Sequence, residues 1–468
     1  MNTKTGVISQ AQLQAQFAFC DKIAAYWQQQ NITPTAYVET YGCQQNEADS
    51  EKLRGYLTMS GYAITSQAEG ADVVIMNTCA IREHAEQRVF GNLGALTHTK
   101  RRHPGQKIFL CGCMAGQEKV VERIRKSYPH VDGVFSTHHL WRFAELLHRV
   151  LTTGKRTFFT EDEAGSIAEG LPQQRDSGLK AWVSIMYGCN NFCTYCIVPY
   201  VRGRERSRKM ADILAECRDL IDSGCKEITL LGQNVNSYGK DLDEGHDFSD
   251  LLAAIAQLPG DFLVRFMTSH PRDAGQKLFD TMAAYPKIAK QLHLPFQSGS
   301  SRVLKAMNRH YDREKYLERV NYAKSVMPDL VLTSDVIVGF PGETEEEFEE
   351  TISLIEQVRY DSLFTFIFSP RGGTPAASME DPTPKSEKNR RFDRLCAVQN
   401  AISEQIHEAY VGKKMRCLVD GTDGGLLTAR TEGGRLVRFA GCESLIGTYQ
   451  DITITGATTW SLTGELSV

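Results

Sequence analysis

Three times near the N-terminus, an apolar run is followed by a cysteine and then by a polar–apolar alternation of helical period. The apolar runs are 36–41, 72–77 and 107–110; the cysteines are Cys43, Cys79 and Cys113; the helical patterns begin near Asn46, Arg82 and Gln117. Asn46 has a side chain suited to an N-cap. Short β-runs alternating with helices predict a parallel sheet in a small α/β domain, 35–153, behind an amphipathic helical extension at 9–30. Residues 154–180 are polar and rich in Gly, Glu and Gln, and predict a linker. The alternation resumes at 181 with strands expected at 182–187, 226–231, 262–268, 290–294, 332–338 and 361–368. Six such units over 181–410 fit a partial (β/α) barrel, whose working groups lie at the strand C-terminal ends. A long polar helix is expected at 385–411. From there to residue 468 the period drops to two, with β-prone runs at 416–419, 426–430, 436–439 and 451–455 separated by Gly-rich turns, the pattern of a small all-β barrel.

Composition adds compartment rather than fold. With 41% hydrophobic and 24% charged residues, the 468-residue chain has the make-up of an ordinary soluble protein of several domains. No apolar run approaches the roughly 20 residues of a membrane span. Residues 1–34 carry Lys4 and Lys22 but no Arg and no apolar core, so neither a signal nor a transit peptide is expected and the chain reads as cytoplasmic. A formal charge of −4 means that any nucleic-acid binding has to come from local patches. Thirteen unevenly spread cysteines in a reducing compartment are better read as metal ligands and buried thiols than as cystines.

Cys189, Cys193 and Cys196 follow the first barrel strand in the spacing C-x3-C-x2-C, within Tyr187-Gly188-Cys189-Asn190-Asn191-Phe192-Cys193-Thr194-Tyr195-Cys196. Cubane iron–sulfur clusters are usually held by four cysteines, so a trio leaves one iron open. Zinc ligands come more often as two CxxC pairs. Cys43, Cys79 and Cys113, 36 and 34 residues apart, carry no spacing signal. In an open parallel sheet, however, successive strand ends share one edge, where ligands bind. There they would form a second three-thiolate site; tetrahedral zinc remains the other metal reading, although no fourth protein ligand is apparent. Cys111 competes with Cys113, but strand alternation turns it toward the core.

With both cysteine sets placed, the chain resembles the radical S-adenosylmethionine (SAM) methylthiotransferase family over most of its length. The resemblance rests on Thr40-Tyr41-Gly42-Cys43-Gln44-Gln45-Asn46, Asn77-Thr78-Cys79-Ala80-Ile81-Arg82, Gly112-Cys113-Met114, the trio with Pro199-Tyr200-Val201-Arg202-Gly203-Arg204-Glu205-Arg206-Ser207-Arg208, and Ser334-Asp335-Val336-Ile337-Val338-Gly339-Phe340-Pro341-Gly342-Glu343. The tail is similar to TRAM, a small RNA-binding barrel. Ala80-Ile81-Arg82-Glu83 looks most like the branch that methylthiolates carbon 2 of isopentenylated adenosine next to the tRNA anticodon. The resemblance implies two [4Fe–4S] clusters: one on Cys189/Cys193/Cys196 that binds SAM, and an auxiliary one on Cys43/Cys79/Cys113 that carries sulfur. SAM would act as both radical source and methyl donor. The position attacked is an aromatic C–H without usable acidity, so radical abstraction is the available route, and the cofactor carries it. The partners implied are the anticodon stem-loop of tRNA, SAM and an electron donor of flavodoxin or ferredoxin type; a monomer is expected.

The same frame suggests roles for further residues. Gln233, Asn234, Gln297 and Asp335 lie at strand ends, where SAM's polar groups would sit, with Asp335 facing ribose hydroxyls; each can equally satisfy loop backbone. Gly339 opens a turn that allows close backbone approach to a ligand. Tyr195 packs against cluster or adenine, or serves as a core aromatic. Arg202, Arg204, Arg206, Arg208 and Lys209 form the densest basic run and are read as phosphate contacts. The tail balances Lys413, Lys414, Arg416, Arg430, Arg435 and Arg438 against Asp420, Asp423, Glu432, Glu443, Asp451 and Glu465, so RNA contact there depends on shape and stacking. Competing expectations are a methylthiotransferase for threonylcarbamoyladenosine or a ribosomal-protein aspartate, a non-catalytic iron–sulfur carrier or scaffold, and an RNA-binding module with incidental cysteines.

Overall fold

Apolar residues occupy consecutive positions in the N-terminal strands, as a parallel sheet covered on both faces requires. A computed structural model describes residues 6–80, 83–161 and 165–467, with the backbone alone for 83–85, and divides them into two units. In the first (residues up to 176 with 186–190 and 196–208), β1 (Thr35–Thr40), β2 (Ala63–Ile64), β3 (Val73–Thr78), β4 (Lys107–Gly112), β5 (Gly133–Phe135) and β6 (Thr157–Phe159) form one parallel sheet in the order β2-β1-β3-β4-β5-β6. Val74, Met76, Ile108 and Leu110 enter one apolar layer, and Val73, Ile75 and Phe109 the other. Cys111 follows Phe109 into the second layer; alternation would put Cys113 on that same face, but the strand ends at Gly112 (φ +89°), and Cys113 joins the first layer instead. β6 comes from the stretch expected to be a linker, and Gly6–Val7 pairs with Ser166–Ile167 close by in the chain. The extension is the helix Gln10–Gln29, started by a Ser9 capping box.

The start of the helix after β1 differs from expectation. It runs from Gln44 to Met59 with Cys43, not Asn46, at its N-cap, which frees the Asn46 side chain to bond elsewhere. The helix expected from Arg82 is observed as Glu83–Arg102; Ile81 and Arg82, the middle of the Ala80–Glu83 match, lie outside the described residues.

In the second unit (177–185, 191–195 and 209 onward), β7 (Lys180–Ser184), β8 (Glu227–Leu231) and β9 (Leu263–Phe266) pair in parallel, as do β10 (Gln291–His293), β11 (Val331–Val338) and β12 (Ser362–Ile367). Backbone bonds from Val264 to Lys287 and from Ala289 to Val264 connect the two triplets, so the six strands follow one another in chain order as a partial barrel. β7 stops at Ser184 rather than continuing to 187: Met186–Tyr187 instead pairs antiparallel with Arg206–Ser207 within the first unit. After the helix Lys385–Glu408, β13 (Lys414–Asp423), β14 (Leu426–Thr431), β15 (Leu436–Phe439), β16 (Tyr449–Ala457) and β17 (Leu462–Leu466) close a five-stranded barrel. Its attachment inside this unit is polar. Arg265 donates to the Glu432 and Thr431 carbonyls, Lys180 pairs with Asp420 at 2.6 Å, and Arg435 pairs with Asp361.

Candidate iron–sulfur and cofactor sites

In the first unit, register aligns three strand ends. Thr40 stands opposite Asn77, and Thr78 opposite Gly112, so the chain leaves β1, β3 and β4 at one edge, with Cys43, Cys79 and Cys113 just beyond. Two glycines let the turns approach each other. Gly42 has φ +118°, and a Cβ on it would lie 2.4 Å from the Cβ of Cys79 and 2.8 Å from its sulfur. At Gly112, φ is +89° and a Cβ would reach the Thr78 carbonyl at 2.3 Å. Left-handed backbone with no room for a side chain calls for glycine at both positions. Asn46 stitches the edge together, its Nδ2 donating to the carbonyls of Tyr41 and Thr78 at 3.0 and 2.9 Å. Asn77 Nδ2 returns bonds to the Asn46 carbonyl and Ser50 Oγ.

Arg202, 4% exposed, reaches this edge. Its Nε donates to Cys113 Sγ at 3.1 Å, and its Nη2 to Asn46 Oδ1 at 2.9 Å and Asp49 Oδ2 at 3.0 Å. Burial pushes the Cys113 thiol up to about 12 against the pull of the guanidinium. Iron bound there would therefore have to displace a proton. Burial works against the charge of Arg202, but Cys113, Asp49 and Cys43 together outweigh it and hold the guanidinium above its usual range.

The arms of the C-x3-C-x2-C loop are fixed separately. Gly188 (φ +72°) has the Arg204 carbonyl 1.9 Å from where a Cβ would be, and the Cys189 N–H donates to the Gly203 carbonyl at 3.1 Å, all within the first unit. Asn190 is tied to the Glu205 carboxylate through its backbone and side-chain amides. Cys196 leads into the first-unit helix Val198–Arg202. Cys193 belongs to the second unit, where Arg309 Nη1 donates to its sulfur at 3.4 Å. Arg309 also donates to the Pro295 carbonyl at 3.0 Å and the Tyr311 hydroxyl at 3.1 Å. Burial opposes its charge, but Tyr195, Tyr311 and the Cys193 sulfur prevail and hold it well above the usual arginine range. Thr194 is clamped by N–H and hydroxyl bonds to the Met307 and Ala306 carbonyls, and Asn308 caps the Phe192 carbonyl.

The strand-end residues of the second unit divide into committed and available groups. Asn234 Nδ2 donates at 2.8 Å to Asp273 of the loop after β9, which Lys240 and Arg272 also hold, while Asn234 Oδ1 is buried without a hydrogen-bond partner among the described residues. Gln233 is half-buried beyond β8. Gln297 has φ +67° and bonds through its backbone to Asp335 and Ile337. Asp335 is half-buried, with Oδ1 3.4 Å from His293 Nε2. Gly339 has φ +70°, Lys388 Cγ stands 2.6 Å from its would-be Cβ, and its N–H donates to Glu343 at 2.7 Å. Tyr195 packs against the apolar cluster of Val303, Met307, Phe340 and Phe368, the core-aromatic alternative, while its hydroxyl accepts from Arg309.

The basic run requires a correction. Arg202, Arg206 and Arg208 are buried, and only Arg204 and Lys209 are exposed. Arg206 donates to the Arg204 and Arg202 carbonyls, and Arg208 makes a forked pair with Glu169 at 2.7 and 2.6 Å. Three of the five side chains therefore face protein rather than solvent phosphate. Sequence reasoning also missed Arg309 and the thiol-facing role of Arg202, because each sulfur partner is remote in the chain. The edge-stitching role of Asn46 was missed as well, its side chain having been expected at an N-cap.

The donor sets fit iron–sulfur groups. No cysteine is in a disulfide, and each trio has a buried guanidinium donating to one of its sulfurs. Among the described residues, no three Cys, His, Asp or Glu side chains gather on a single-ion position, the arrangement zinc would need.

Comparison with known proteins adds three matches along the chain: residues 35–136 to Uncharacterized protein family UPF0004, 183–355 to the Radical SAM superfamily, and 408–467 to the TRAM domain. The tRNA-2-methylthio-N(6)-dimethylallyladenosine synthase of Alkaliphilus oremlandii is 50% identical over 432 residues, 92% of each protein. That of Clostridium perfringens is 51% identical over 92% of this chain and 97% of its own length. A solved radical SAM methyltransferase, TsrM from Kitasatospora setae with tryptophan and a SAM analogue, shares the fold at TM-score 0.54 and 14% identity, over 84% of this chain and 79% of that one.

Proposed function

The chain belongs to the tRNA-2-methylthio-N(6)-dimethylallyladenosine synthase family of radical SAM enzymes, and from that premise we propose how its own residues divide the reaction. The activity is methylthiolation of carbon 2 of isopentenylated adenosine in tRNA, with SAM as radical source and methyl donor. Iron–sulfur groups and SAM, when bound, supply the electron, the hydrogen abstraction and the sulfur that no side chain can provide.

Cys189, Cys193 and Cys196 hold the SAM-binding cluster, with Arg309 offsetting thiolate charge at Cys193. Cys43, Cys79 and Cys113 hold a second, auxiliary cluster. The observation that carries this reading is the edge itself: three aligned strand ends, closed by Gly42 and Gly112 and tied by Asn46. Gln233, Asn234, Gln297, Asp335 and the Gly339 turn orient SAM, with Asp335 on ribose hydroxyls. Arg204 and Lys209 contact tRNA phosphate near the anticodon, and the C-terminal barrel adds stacking surface. No helix among the described residues is long and apolar enough to cross a membrane, and we place the enzyme, as a monomer, in the cytoplasm with a flavodoxin- or ferredoxin-type electron donor.

Two measurements test this. Anaerobic reconstitution should load about eight irons per chain, falling to about four when Cys43, Cys79 and Cys113 are all changed to Ala; unchanged iron would defeat the auxiliary site. Nucleoside mass analysis after incubation with SAM, reductant and tRNA should show methylthiolation of the isopentenylated adenosine. Methylthiolation of the threonylcarbamoyl nucleoside alone would defeat the substrate assignment.

A further inference from the structure

Arg202 follows Cys196 closely in the chain, yet its guanidinium serves the other set of cysteines. Three observations make this a built contact. First, its donors are directed inward: Nε to Cys113 Sγ, Nη2 to Asn46 Oδ1 and Asp49 Oδ2. Asn46 Oδ1 also accepts from the Cys43 thiol at 3.6 Å, a bond lost once that sulfur binds iron as a thiolate, so the contact that persists is the one to Cys113. Second, the helix Val198–Arg202 that presents it is pinned within the first unit. Thr137 Oγ1 donates to the Val201 carbonyl at 3.1 Å, Ile197 and Val201 share an apolar layer with Cys113, Met114 and Ala115, and a Cβ on Gly116 would come within 3.3 Å of Val201. Third, Asp49 balances the guanidinium, its carboxylate 3.0 Å from Nη2. A cation buried without such a partner would cost several kcal/mol. The pair is near neutral overall, and what reaches the sulfur is chiefly an oriented N–H dipole.

Hydrogen bonds to ligand sulfur are among the devices that set the potential of an iron–sulfur cluster. Reduction adds negative charge, and an N–H aimed at sulfur stabilises the reduced state more than the oxidised one. We propose that Arg202 is a positioning residue of the auxiliary site, orienting Cys113 and raising the reduction potential of the cluster that this cysteine helps to hold. This inference rests on the two-cluster reading above. In the step concerned, one electron passes from the titrant to the cluster; no bond at Arg202 forms or breaks, and its Nε keeps its proton.

The test uses the full chain carrying Cys189→Ala, Cys193→Ala and Cys196→Ala, which leaves only the auxiliary thiols. Iron is counted after reconstitution, and the cluster potential is measured by EPR-monitored redox titration, with and without Arg202→Met or Arg202→Lys. In both variants the reduced-to-oxidised ratio at a fixed potential should fall at least tenfold, a shift of about 59 mV for one electron. Lysine keeps the charge but loses the Nε–H and the planar fork, so it should not rescue the potential, and it serves if the Met variant does not fold. An unchanged potential with about four irons bound in either variant would overturn the proposal. A parent triple variant that binds no iron would overturn the two-cluster reading instead, so the two failures are distinguishable.

Discussion

Gly42→Ala tests the auxiliary edge at its tightest point. The new methyl would sit 2.4 Å from the Cβ of Cys79 and 2.8 Å from its sulfur, at a backbone φ of +118°. Left-handed backbone costs a residue with a Cβ about 1–2 kcal/mol. Overpacking against a buried neighbour adds about 1–3 kcal/mol. Relief requires Cys79 to move, and Cys79 is nearly fully buried, so the sulfur leaves its place whether or not the fold survives. The combined cost of about 2–5 kcal/mol corresponds to a melting shift of roughly 4–20 °C for a unit of this size. On the proposed two-cluster reading, iron after anaerobic reconstitution should drop from about eight to about four per chain, since the change touches only the auxiliary site. Gly91→Ala is the control: Gly91 lies in the helix Glu83–Arg102 with nothing within 4 Å of a new Cβ. That change should stabilise by about 0.5–1 kcal/mol and leave iron unaltered. A Gly42→Ala enzyme with wild-type melting and full iron would refute the reasoning that places Cys43 and Cys79 at one site.

Further predictions concern RNA and pH. Arg204→Ala and Lys209→Ala should each weaken tRNA binding and reduce the slope of log Kd against log salt by about 1, whereas a slope unchanged in both would remove them from the phosphate contacts. In the C-terminal barrel, Lys414, Arg416, Arg430 and Arg438 are all paired with carboxylates, while Trp460 is 71% exposed. Trp460→Ala should therefore weaken tRNA binding by about 1–3 kcal/mol with no change in salt slope, and wild-type affinity in a binding titration would exclude stacking there. Glu51 is pushed up to about 7 by burial, which outweighs the pull of Arg175. Between about pH 4.5 and 7 the folded state alone keeps this proton, so stability should fall as pH rises through that window. Glu51→Gln should flatten that part of the melting-versus-pH curve, and an unaltered slope would show that Glu51 does not titrate there.

The chain by itself determined whatever depends on neighbours in sequence. Consecutive apolar runs located most of the parallel strands, which are buried on both faces, and period-two runs located most strands of the C-terminal barrel. The loop Cys189–Cys196 was legible because its three cysteines lie within one short stretch of chain, and Cys43, Cys79 and Cys113 because each follows a recognisable strand. Charge pattern alone misassigned Arg202, Arg206 and Arg208: a basic run looks the same whether it meets phosphate or buried acceptors. Strand β17 was missed because its sequence, Leu-Thr-Gly-Glu-Leu, has too little apolar alternation to stand out; pairing with β15 and β16 supplies the reason it is a strand. Tertiary structure alone decided which side chains reach the sulfurs. Arg202 meets Cys113 across 89 residues and Arg309 meets Cys193 across 116. A buried guanidinium can be kept only where packing brings acceptors to it, and no local pattern in the chain records where those acceptors will be.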